Sequence, residues 1–181
     1  MKFNNSALEY VAALQKRGYV TLGQGHFSTV LAKPGSTSVI KVSGTGYGKT
    51  SDDGWPAYVS FLRQNLSPHA PAIHRFKRHN EGTDRSFYVA VIERLEWTVD
   101  EVRWQRKKGH PATTHGWNYA SKVLWGHSVT HPEEFAELRS FMEKIREAFV
   151  GIYDFDLHGA NVMVRSDGIL VIIDPLSFPT N

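Results

Sequence analysis

Helical spacing opens the chain. Between residues 6 and 17, Leu8, Val11, Ala12 and Leu14 recur at the intervals of an amphipathic helix, and Gly18 supplies its stop. The pattern then turns to β. Residues 19–22 lead into a glycine turn and out again through Val30, and Ser38-Val39-Ile40-Lys41-Val42 reads as a β-branched strand with one lysine embedded in it. A glycine-rich connection over 44–50 leads to a helix predicted near 57–64. Strands over 73–79 and 86–95 form a predicted hairpin around Glu81-Gly82-Thr83-Asp84, the second running apolar from Phe87 to Ile92. Thr98-Val99-Asp100-Glu101 has the form of a capping box at the start of a short helix. Residues 113–130 are aromatic and poorly periodic, and predict no element. From Pro132 to about Phe149 a long helix is predicted, with Phe135, Leu138, Phe141, Met142, Ile145 and Phe149 as its packing stripe. Residues 161–164 and 169–173 close the pattern as a short hairpin across Ser166-Asp167-Gly168.

Composition narrows the classes. The 181 residues, 41% hydrophobic, suffice for one domain or two small lobes with a real core. No run approaches the roughly 18 apolar residues of a membrane span. The first five residues carry no apolar signal core, and cysteine is absent, which excludes disulfides and cysteine zinc sites. Both features fit a cytoplasmic protein. Net charge is only +3, and the two basic runs, 74–79 and 103–108, read as a solvated strand face and a helix end rather than a nucleic-acid surface.

The chemistry concentrates in Asp156-Leu157-His158-Gly159-Ala160-Asn161, followed thirteen residues later by Asp174 at the end of an apolar run. Phosphoryl transfer from a metal-bound nucleotide needs a carboxylate to accept a hydroxyl proton and hard oxygen ligands for Mg²⁺. Asp156 can be the first, Asn161 and Asp174 the second. Upstream, Gly23-Gln24-Gly25-His26-Phe27-Ser28-Thr29-Val30 makes a turn whose glycines allow close approach of phosphate. Lys41 adds a point charge for phosphate. Each piece alone is weak: a lone G-x-G is usually a turn, and a strand lysine usually faces outward. Their order along one chain makes coincidence improbable. Residues 43–50 also nearly spell a Walker phosphate loop, but Asp52, Asp53, Gly54 and Pro56 follow where the helix should open.

With these residues in place, the chain resembles the protein-kinase-like superfamily, and within it the early-gene serine/threonine protein kinases of short-tailed lytic phages. The resemblance rests on Gly25-His26-Phe27-Ser28, Val39-Ile40-Lys41-Val42, Phe155-Asp156 with His158 and Asn161, and Asp174-Pro175-Leu176-Ser177-Phe178, and spans residues 22–178. It implies an α+β, two-lobed fold: an antiparallel N-lobe sheet over residues 1–95 and a minimal helical C-lobe over 96–181. It implies ATP and Mg²⁺ as cofactors, with Asp156, Lys41 and His158 catalytic. Gly23, Gly25, Ser28, Val30 and Lys41 would hold the nucleotide, with Glu93 and Leu95 presenting backbone to adenine, and Asn161 and Asp174 would hold the metal. His158 would either reach the γ-phosphate or brace the loop. Host proteins, transcription and RNA-processing machinery among them, would be the substrates. Several residues depart from the kinase pattern. Ser28 replaces the third glycine, Asp154 and Phe155 replace His-Arg, and Pro175 follows the metal aspartate. No glutamate lies between Lys41 and Asn80, and seven residues follow Asp174. Asp-Leu-His-x-x-Asn also occurs in aminoglycoside- and choline-type phosphotransferases. A kinase-shaped inhibitor without catalysis is the third reading.

Overall fold

Ser6 fixes the start of the first helix, α1 (Ala7–Lys16): its side chain accepts from the Glu9 amide while Glu9 Oε2 accepts from the Ser6 amide at 2.7 Å. Gly18, at φ +85°, ends it as expected. The chain is described from a computed structural model covering residues 6–45, 53–97, 111–130, 133–158 and 161–180, with backbone alone for Trp97 and residues 111–117. The capping box at 98–101, the basic run at 103–108, Pro132 and most of the Walker-like stretch (46–50) lie outside the described residues.

Strands β1 (Val20–Gln24), β2 (Ser28–Ala32), β3 (Ser38–Ser43), β4 (Ile73–His79) and β5 (Phe87–Glu93) form one antiparallel sheet in the order β1-β2-β3-β5-β4. Ala7, Val11 and Leu14 of α1 pack with Leu31, Val42, Phe87 and Val89 on one face. At roughly 1.5–3 kcal/mol for a fully buried Val or Leu side chain, this layer anchors the helix to the sheet. β4 is the edge strand, and its exposed Arg75, Lys77 and Arg78 discourage edge-to-edge pairing.

The chain divides into two compact units, Met1–Asp52 with Ala72–Arg94, and Asp53–Pro71 with Leu95–Asn181. A single cut after residue 95 was expected. The last crossing falls one residue from it, but helix α2 (Trp55–Leu62) belongs to the second unit instead of the first. The reason is packing. Trp55 Nε1 donates to Ile173 O at 2.9 Å, the Tyr58 hydroxyl donates to Ile172 O at 2.8 Å, and Phe61 stacks near Phe141 and Phe149. Pro56 in the first turn starts this helix two residues earlier than the apolar spacing suggests.

The second unit also holds α3 (Pro111–Leu124), a 3₁₀ turn (Glu133–Phe135) and α4 (Ala136–Phe149). Leu138, Phe141, Met142, Ile145 and Phe149 of the expected stripe are buried, α3 packs against α4, and Tyr119 of α3 meets Phe135 of the 3₁₀ turn. α3 occupies residues for which no element was predicted. The unit is less purely helical than expected. β6 (Glu96–Trp97), β8 (Val162–Val164) and β9 (Leu170–Ile172) form a three-stranded sheet, and β7 (Tyr153–Phe155) pairs with β10 (Leu176–Pro179). No helix among the described residues is long and apolar enough to cross a membrane.

Candidate active site

In the first unit, strand register aligns the expected phosphate-binding residues. Gly23 pairs with Val30, Val30 with Lys41, Lys41 with Ala90 and Ala90 with Phe76, a row across the whole sheet. Lys41 is only 6% exposed. Ser28, opposite Ser43, and Val30 lie one residue apart from each other's neighbours on the same strand face, the face opposite the α1 layer. The Gly25 amide donates to Ser28 O at 2.9 Å, closing the turn. Gln24 Nε2 donates to Thr45 O at 2.7 Å, and the hydroxyls of Thr45 and Thr29 lie 2.8 Å apart, tying the turn to the end of β3.

Gly23 and Gly25 are informative because nothing among the described residues demands them. Neither has positive φ, and a Cβ at either would meet no atom of the described residues within 4 Å. Their lack of a side chain leaves the space over the turn open, as a close-approaching ligand requires. The Glu93 amide donates to Ala72 O at 3.0 Å and its carboxylate accepts from Ala72 N at 2.7 Å, which fixes the end of β5. Leu95 is half-buried just beyond the strand, in the second unit.

In the second unit the hairpin β8–β9 places the acidic residues. Val162 pairs with Ile172, and one step further the Ile173 amide donates to Asn161 O at 3.0 Å, so Asn161 lies beside the residue preceding Asp174. The Asp156 amide donates to Pro175 O at 2.9 Å, bringing the loop's first carboxylate against the residue after Asp174. Asn161 Nδ2 donates to Asp156 O at 2.6 Å, with Asp156 Oδ2 at 3.3 Å and His158 Nε2 at 3.1 Å. His158 Nε2 is 3.7 Å from Asp156 Oδ1. Asp156, His158, Asn161 and Asp174 are thus gathered at one end of a hairpin. Gly159 and Ala160 lie outside the described residues.

Two residues that no motif marks help hold this end. Trp55 and Tyr58 donate to the carbonyls of Ile173 and Ile172, immediately before Asp174. Burial, and then the negative charge of Asp174, push the Tyr58 hydroxyl well above the ordinary tyrosine range, so it remains a donor. One carboxylate oxygen of Asp174, Oδ1, is itself buried. An amide oxygen and a carboxylate on adjacent strands are hard donors suited to Mg²⁺. Among the described residues no group of three His, Cys, Asp or Glu side chains could hold a metal alone. This donor set suits an ion whose shell is completed by phosphate and water oxygens.

Two antiparallel β-rich pieces, one with a glycine turn and a buried strand lysine, the other with an Asp–Asn–Asp cluster, place the chain in the protein-kinase class. The family model described as bacteriophage T7 protein kinase 0.7 matches residues 5–181, and the chain belongs to that family. Among solved structures, MAP kinase LmaMPK10 from Leishmania major is similar at 14% identity and a TM-score of 0.46, over 92% of this chain and 49% of that one. The chain therefore spans about half the length of that kinase. No curated protein gives a significant match.

Proposed function

We propose that this protein transfers the γ-phosphate of ATP to serine or threonine hydroxyls of host proteins in the cytoplasm of an infected cell, transcription and RNA-processing machinery among them. The observation that carries the reading is the pinning of Asp156 and Asn161 to Pro175 and Ile173, the neighbours of Asp174. Membership of a phage protein-kinase family supports it.

Asp156 orients the acceptor hydroxyl and takes its proton as the oxygen attacks phosphorus. Asn161 Oδ1 and the Asp174 carboxylate hold Mg²⁺, which when bound neutralises charge on the phosphates. Lys41 neutralises the α- and β-phosphates, Gly23, Gly25 and Ser28 cover them, Val30 presents an apolar surface to the base, and Leu95 presents backbone to it. Incubation with γ-labelled ATP, Mg²⁺ and a bacterial lysate tests this. Label should appear on protein serine or threonine, and Asp156→Asn should lower the rate by orders of magnitude while nucleotide binding persists. Label on a small molecule would favour the aminoglycoside- or choline-type reading. No turnover, with a host protein nevertheless bound, would favour the inhibitor.

A further inference from the structure

His158 lies two residues beyond Asp156, and its ring is already engaged. The amide of Asn161 has its orientation fixed by chemistry: Asp156 O at 2.6 Å and Asp156 Oδ2 at 3.3 Å can only accept, so the atom facing them is Nδ2. An amide nitrogen has no acceptor capacity. Of its three contacts the two shortest, Asp156 O at 2.6 Å and His158 Nε2 at 3.1 Å, take its two hydrogens, which assigns the lone pair to His158 Nε2 and the imidazole proton to Nδ1. At 3.7 Å the separation of Nε2 from Asp156 Oδ1 is beyond hydrogen-bond distance. The two amide hydrogens of Asn161 are consumed by Asp156 and His158, which turns Oδ1, the only metal-binding atom of that side chain, out of this network.

We infer that His158 is a positioning residue: it accepts a hydrogen bond from Asn161 and so fixes the amide with its oxygen toward the cation, instead of contacting the γ-phosphate. The identity of the cation rests on the phosphoryl-transfer reading, while the tautomer and the hydrogen bond do not. The exposed ring is the outer partner of a metal ligand, a role whose removal typically costs about 10–100-fold in metal affinity.

The two roles demand opposite replacements. Mn²⁺ binding in the presence of ADP, read from the electron paramagnetic resonance signal of free Mn²⁺, separates them. His158→Ala should weaken Mn²⁺ by about tenfold, near the lower end of that range because water can reach the site. His158→Gln, whose Oε1 can accept from Asn161, should restore most of the affinity, and His158→Lys, which can only donate, should not. Rescue by lysine but not by glutamine would overturn the inference in favour of a phosphate contact. Nitrogen-15 NMR of the metal-free protein supplies a second decision: an Nδ1-protonated His158 is expected, and an Nε2-protonated ring would overturn it. A protein that binds no Mn²⁺–ADP would refute the nucleotide reading, and the NMR tautomer would still decide the role of His158.

Discussion

Gly54 is the tightest backbone contact around the site, and Gly54→Ala is the sharpest test of how the second unit is built. A Cβ at this position would overlap Leu176 Cβ and lie 3.1 Å from Ser177 O and 3.2 Å from Leu176 C. These atoms are backbone or bound directly to it, so no side-chain rotation relieves the overlap, and α2 and β10 must move apart. Overpacking of this kind costs about 1–3 kcal/mol. Replacing glycine by alanine at an ordinary φ, here −69°, returns about 0.4–1 kcal/mol through the unfolded chain. The clash wins, leaving a net loss of about 1–2 kcal/mol, and more if the bonds from Trp55 and Tyr58 to Ile173 and Ile172 loosen, at about 1 kcal/mol each. With a urea slope of about 2 kcal/mol/M, the midpoint should fall by roughly 0.5–1 M. Because the displaced segment brackets Asp174, turnover should fall further than stability: a misplacement of about 1 Å can cost on the order of 10²-fold. Gly25→Ala is the internal control, since its Cβ meets nothing within 4 Å and should leave the midpoint unchanged. An unchanged or raised midpoint for Gly54→Ala would refute the packing argument.

Three further outcomes follow from the same geometry. Gly23→Ala and Gly25→Ala should keep the fold intact but weaken ATP binding in a calorimetric titration, since each methyl would project into space no protein atom fills; unchanged affinity would place the phosphates elsewhere. Burial, then Lys77 and Arg75, hold His79 below the ordinary histidine range while its ring stacks on Phe87 at 4.8 Å. Its neutral form is the folded one, so stability present above about pH 6.5 should be lost as pH falls and the unfolded chain takes up the proton, and His79→Phe should flatten that acid limb in urea titrations run at a series of pH values. Phosphatase treatment of freshly made protein should leave activity unchanged, whereas a large fall restored by ATP and Mg²⁺ would reveal an activating phosphate.

What could be read from sequence was local. The spacing of Leu8, Val11 and Leu14, the β-branched run around Lys41 and the turn at 81–84 each encode an element within ten residues or so, and all appear as α1, β3 and the β4–β5 hairpin. The motifs also located Asp156, Asn161 and Asp174, because their short spacing ties them to a single loop and the following hairpin. What depends on distant partners was not legible. α2 joins the second unit through bonds from Trp55 and Tyr58 to residues more than a hundred positions away. β6 and β7 are two and three residues long, too short for a period, and exist because β8 and β10 pair with them. α3 mixes aromatic and weak helix-forming residues, and its face becomes apparent only once Tyr119, Ala120, Val123 and Leu124 are seen buried. The bond from the Glu93 amide to Ala72 O likewise joins residues twenty-one positions apart.

The segment 173–176 holds Asp156 and Asn161 through backbone bonds alone. Ile173 holds Asn161 through one backbone bond and Pro175 holds Asp156 through another, so both ends of the six-residue loop are fixed to the neighbours of Asp174. Leu176 then enters β10 at once and pairs opposite Phe155, the residue immediately before Asp156. The side chain of Phe155, where an arginine would otherwise be placed to read a phosphate, packs edge-on against Trp125 at 5.8 Å. A switch that orders a segment through new arginine–phosphate bonds needs a segment to order and an arginine to receive it. Here a strand directly follows Pro175, and an aromatic pair occupies the receiving position. The ladder between β7 and β10 fixes Phe155 and Leu176 on folding, which is why phosphatase treatment is expected to leave activity unchanged.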